Sequence, residues 1–117
     1  MPEVIKQLMD QWYLNKALLH FNESLDRCWK KFQKFDSAKP SISVKRMKKR
    51  WGSLSKKGLM TLNPELIKAP KECIDYVVTH ELCHIKYHNH SAEFYNLLYS
   101  ILPDWKMIKQ KLELQLI

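Results

Sequence analysis

From Glu3 to about His20 the apolar residues Val4, Leu8, Trp12, Leu18 and Leu19 recur at near-helical spacing, which predicts a helix with one buried face. Asn22 reads as an N-cap, with Glu23 in the turn after it. Leu25, Cys28, Trp29 and Phe32 then form a new apolar stripe, so a second helix is expected to about Phe35. Asp36 to Ser41 is loop by composition, with Pro40 near its end. The period then changes. Ile42, Val44 and Met47, followed by "RWGSLS" and "LMTLN" on either side of Lys56-Lys57-Gly58, predict strands near 41–47, 50–55 and 58–63, with a turn at the glycine, where positive φ is cheap. Pro64 to Pro70 reads as a connector into a helix that starts near Lys71 and carries Ile74, Val77, Val78, His80, Glu81 and His84. Two further helices are expected, from Ser91 to about Leu102 and from Pro103 to about Leu116, with Pro103-Asp104 as the break.

Helices and strands segregated along the chain in this way predict an α+β fold. The length of 117 residues suits one domain with a real core. Within residues 1–117 the expected parts are the helices of 1–36, a small sheet over 41–63 and the helices of 71–117. Apolar residues at 45%, charged residues at 27% and only two glycines exclude a disordered or linker-rich chain. No apolar run approaches the roughly 18 residues that span a bilayer, and "MPEVIKQLMDQW" does not read as a signal peptide. No membrane partner is expected. Cys28, Cys73 and Cys83 form no paired spacing, which fits reduced thiols and a cytoplasmic protein.

The formal charge of +8 concentrates in "KRMKKR", where Lys45, Arg46, Lys48, Lys49 and Arg50 are joined by Lys56 and Lys57. An acidic partner, nucleic acid included, is compatible with that cluster, as is a merely solvated basic surface.

Candidate chemistry lies in "THELCHIKYHNH", residues 79–90, which holds four of the five histidines. Two histidines four apart share a helix face, so His80 and His84 can give one ion two imidazole nitrogens. Glu81, one position round, suits a carboxylate that takes a proton from a water activated at the metal. A catalytic zinc wants a third protein ligand. His88 continues the row, but three ligands along one straight helix spread over about 12 Å, too far for one ion. Asn89-His90-Ser91 reads instead as a helix stop, with Asn tolerating the left-handed conformation and Ser91 capping the next helix. A turn there brings His90 back, with Glu93 as the alternative third ligand. Cys83 sits about 100° round from His84 and is expected to face the core.

The segment from Arg46 to Lys106 resembles the YgjP-like zinc metallopeptidases, relatives of the SprT-like and WLM zincins. The resemblance rests on Arg50-Trp51-Gly52-Ser53, Leu62-Asn63, Asp75-Tyr76-Val77-Val78, His80-Glu81-Leu82-Cys83-His84 and Asn89-His90-Ser91 with Phe94. It implies a zincin-like α+β fold with a small antiparallel sheet beside the active-site helix, zinc on His80, His84 and His90, and Glu81 as catalytic base. Relatives are expected to be longer, with an additional N-terminal β-rich part. Their frequent Cys after Trp-Gly-Ser is Leu54 here.

Together these observations predict zinc-dependent hydrolysis, of a peptide bond in a protein or peptide substrate. Tyr87, Tyr95 and Arg50 are oxyanion donors by residue type, and Trp51 to Ser55 is a segment along which an extended substrate can pair. Two readings of another class compete: a nucleic-acid-associated zinc module, and an inactive zinc-stabilised interaction domain. Glu81 argues against the last, because a structural site needs no base beside the metal.

Overall fold

A computed structural model describes residues 3–33 and 38–114, with the backbone alone at Ile5, Lys6 and Met9. In chain order the elements are helix α1 (Glu3–Trp29), strands β1 (Ser41–Val44), β2 (Gly52–Leu54) and β3 (Leu59–Leu62), a 3-10 helix at Pro64–Lys68, and helices α2 (Lys71–Cys83), α3 (Ala92–Ile101) and α4 (Trp105–Leu114). The α+β expectation is met. The sheet is mixed rather than antiparallel throughout: in the order β1-β3-β2, β3 pairs antiparallel with β2 and parallel with β1. The β2–β3 turn follows from the sequence as expected, with Gly58 at φ +86° and its N–H donating to Ser55 O at 3.0 Å.

The two N-terminal helices are one. Asn22 does not cap; its Nδ2 donates back to Leu18 O at 2.9 Å, and nothing between His20 and Ser24 breaks the ladder. The helix stops at Trp29 and gives way to turns over 30–33, short of the end expected near Phe35; Phe35 itself and the onset of the loop at Asp36 fall outside the described residues. The buried face is also a different one. Val4, Leu8, Trp12, Leu18 and Leu19 are 40–66% exposed, whereas Ala17, Phe21, Ser24, Leu25 and Cys28 point into the core. Periodicity fixes which residues share a face, and only the rest of the fold decides which face is covered.

α2 occupies the centre. Nine of its thirteen residues are buried, because α1, β2, α3 and α4 surround it. Phe21, Leu25 and Phe32 pack with Met60 and Leu62 of β3, Val78 and Leu82 of α2, and Phe94 and Leu98 of α3. Arg27 of α1 is ion-paired with Asp75 of α2 at 2.7 Å, and Thr79 donates to Cys28 Sγ at 3.5 Å, which pins the back of α2 to α1. Among the described residues no helix is long and apolar enough to cross a membrane.

Candidate metal centre and cleft

α2 ends at Cys83 and places His84 at its C-cap, with φ −70° and ψ −13°. Asn89 does not adopt the left-handed conformation, since Gly58 carries the one positive φ among the described residues. The reversal is instead spread over residues 84–90, where Tyr87 N–H donates to Cys83 O at 3.0 Å and Ser91 N–H to Asn89 O at 2.8 Å. Ser91 then caps α3 as expected, its Oγ accepting from Phe94 N–H at 3.3 Å.

That reversal brings His90 to the two helical histidines. Its Nε2 lies 3.2 Å from His80 Nε2, and one ring nitrogen from each of His80, His84 and His90 lies within 4.8 Å of the others. A tetrahedral ion with bonds of about 2.0–2.1 Å sets its nitrogens about 3.3 Å apart, so the His80–His90 pair already has the spacing of two ligands. His84 Nδ1 sits 3.0 Å from Tyr87 O. With a carbonyl there, Nδ1 carries the proton and Nε2 keeps its lone pair for an ion. Buried His80 Nδ1 has no such acceptor among the described residues, and packing holds that ring instead. Phe94, fully buried, has its ring centre 5.0 Å from His80, 4.6 Å from His84 and 4.9 Å from His90. Burial, with His84 and His90 nearby, pushes the His80 pKa down to about 4, and burial lowers His84 as well. Neutral imidazoles are the ligand form.

Glu81 is 7% exposed and lines the cleft beside the histidines. Burial pushes its carboxyl up to about 7, against the opposing pull of Arg50. The facing wall is β2, an edge strand. Gly52 makes the approach possible: a Cβ there would lie 2.9 Å from Leu62 Cδ2, 3.2 Å from Val77 Cγ1 and 3.3 Å from Glu81 Cγ. Asn63 fixes the approach to β2, with its Nδ2 donating to Met47 O at 2.8 Å and to Arg50 O at 3.2 Å while its Oδ1 accepts from Glu65 N–H.

Of the other sequence candidates, His88 lines the cleft outside the histidine group. Glu93 is exposed on α3, 3.4 Å from Ser91 Oγ, and does not join that group. Cys83 is fully buried and its thiol is pushed up to about 12. Tyr87 contributes its carbonyl, Tyr95 stacks on Trp105 at 5.3 Å, and Arg50 lines the cleft. Sequence reasoning missed Tyr76. It lines the cleft one helical turn before His80, with its ring centre 6.0 Å from that imidazole, and its i−4 position was the available signal.

The family described as YgjP-like, metallopeptidase domain, matches residues 1–115, well beyond the segment that carries the resemblance in sequence. The chain belongs to that family. Its fold is similar to that of the metallopeptidase zymogen jannalysin of Methanocaldococcus jannaschii, with 25% identity and a TM-score of 0.70 over 83% of this chain and 90% of that one. It is likewise similar to that of the metallopeptidase zymogen abylysin of Pyrococcus abyssi, with 22% identity and a TM-score of 0.71 over 82% of this chain and 94% of that one. Both solved chains are matched over nine-tenths or more of their length. No curated protein matches the chain.

Proposed function

We propose that the chain is a zinc-dependent peptidase in which His80, His84 and His90 hold the ion and Glu81 is the general base. The observation that carries this reading is the convergence of three imidazoles, with a buried carboxyl next to them, on a cleft whose other wall is a sheet edge. Zinc bound there supplies Lewis acidity and lowers the pKa of water toward 7. Glu81, with a pKa near the working pH, accepts the proton of the attacking water and returns it to the leaving amine. Tyr76 is held protonated by burial, which pushes it up to about 12, and is the hydrogen-bond donor for the developing oxyanion. An extended peptide pairs with the free edge of β2, which sets its scissile bond beside Glu81.

The test is zinc content per chain and hydrolysis of a mixed peptide pool by the wild type, His90→Ala and Glu81→Gln. One zinc in the wild type, loss of zinc in His90→Ala, and zinc retained without hydrolysis in Glu81→Gln support the assignment. A wild type that cannot be loaded with zinc, or Glu81→Gln with undiminished hydrolysis, overturns it.

A further inference from the structure

The side chains that line the cleft are unbalanced in charge. Arg50, Lys56 and Lys57 all line it, and among the described residues Glu81 is the one acidic residue that does. Salt bridges elsewhere tie up Arg27, Lys39, Lys68, Lys109 and Lys111, but none involves the three cleft cations among the described residues. All three are exposed. Their positions along the edge strand differ in a useful way. Arg50 lies just before β2, near enough to Glu81 to pull its carboxyl down. Lys56 and Lys57 lie past the other end, on the turn closed by Gly58, where Ser55 Oγ accepts from Leu59 N–H at 3.1 Å and fixes the turn. Gly52, whose Cβ position is 3.3 Å from Glu81 Cγ, marks the reacting end of the strand. At about 3.3 Å per residue, Ser55 stands roughly 10 Å from that end, and the lysine pair lies just beyond it on the turn.

We infer that the cleft selects acidic extended peptides, with Arg50 receiving a carboxylate next to the scissile bond and Lys56 and Lys57 receiving one about four residues away. This rests on the peptidase reading for what a scissile bond is, but the selection is a property of binding and is measured separately. Three cations along one wall of a groove, without an ion-pair partner among the described residues, raise the local concentration of anionic chains and disfavour cationic ones by like-charge repulsion. An exposed ion pair changes affinity by a few-fold at most, so two or three together give about a tenfold preference at low salt. That preference fades as ionic strength rises past the point where the Debye length falls to about 8 Å. The remaining basic residues of the same stretch, Lys45, Arg46, Lys48 and Lys49, are exposed but do not line the cleft, and Lys48 with Lys49 provides an internal control.

The experiment uses two pools of fluorescein-labelled ten-residue peptides that differ only in Asp/Glu or Lys/Arg at the charged positions. Binding is measured by anisotropy on chelator-treated full-length protein, and cleavage on the zinc-loaded protein. The expected result is about tenfold tighter binding of the acidic pool at 20 mM salt, reduced to twofold or less in Lys56→Glu/Lys57→Glu and unchanged in Lys48→Ala/Lys49→Ala. Circular dichroism confirms that each variant is folded. Acidic peptides that bind selectively but are not cut leave the selection standing and sink the peptidase reading. Peptides cut without regard to charge do the reverse. A single-stranded oligonucleotide that outcompetes the acidic pool, with Lys48→Ala/Lys49→Ala as damaging as the turn variant, overturns the inference in favour of phosphate binding by the whole basic cluster.

Discussion

Glu81→Gln has a consequence for stability that is separable from catalysis. In the folded protein the Glu81 carboxyl titrates at about 7 rather than its ordinary 4.5, because it is buried. Between those values the native state keeps a proton that the unfolded chain has released, so the contribution is fully present below pH 4.5 and is lost as pH rises to 7. A difference of about 2.5 at 1.36 kcal/mol per pKa unit amounts to about 3 kcal/mol. His80 opposes it. Its pKa falls from 6.5 to about 4, so between those values the unfolded chain binds the proton and stability rises with pH, also by about 3 kcal/mol. In metal-free wild type these two slopes largely cancel between pH 4.5 and 6.5, which leaves the smaller rise contributed by His84, also lowered by burial. Glu81→Gln removes one of them, so over that interval the variant should gain about 3 kcal/mol more than the wild type does. Urea denaturation of chelator-treated protein, followed by tryptophan fluorescence at four pH values, measures both curves. Parallel curves, with the difference constant to within about 0.5 kcal/mol, would mean that the Glu81 carboxyl is solvated. Its role as a base poised near neutrality would then be refuted.

Gly52→Ala forces a Cβ to within 2.9 Å of fully buried Leu62 and 3.3 Å of Glu81 Cγ. It should lower stability by about 1–3 kcal/mol and reduce hydrolysis while zinc content stays near one per chain; a thermal melt and metal analysis check both. Tyr76→Phe keeps the ring that packs beside His80 and removes the donor. The kcat of peptide hydrolysis should fall about 10²-fold with KM little changed, and an unchanged kcat would remove Tyr76 from the mechanism.

The parts of the fold legible in the sequence are those set by local chemistry. Gly58 announced its turn, Ser91 its cap, and the apolar spacing around Ile74 and Val78 the central helix that delivers His80 and His84 on one face. What was misread depends on contacts far apart in sequence. The stripe from Val4 to Leu19 has helical periodicity but stays largely exposed among the described residues, and Asn22, a plausible cap by type, had no local break that would make it one. The direction of β1 leaves no mark on an alternating pattern, because a parallel and an antiparallel strand bury the same residues. His90 was identifiable as a residue displaced from the helical row, but the turn that returns it uses seven residues rather than one left-handed asparagine. The cationic wall of the cleft was visible as charge and invisible as a wall, since Arg50 and the Lys56-Lys57 turn meet α2 only once β2 is laid beside it.

Among the described residues the start of α1, from Glu3 to Gln11, is held by its own hydrogen bonds, whereas Trp12, Tyr13 and Lys16 line a groove with Ile67 and Lys68. From Glu3 to Lys16 every described side chain is exposed, and the first buried residue is Ala17. An isolated helix of that length is marginal in water. The arm from Glu3 to Gln11, about 14 Å long, therefore opens and reforms without disturbing Phe21, Leu25 or anything they support, and its amides exchange with solvent long before those of α2. In mechanical terms it is a handle attached to the folding unit, and what is grafted to it or cut from it is transmitted only weakly to the three histidines.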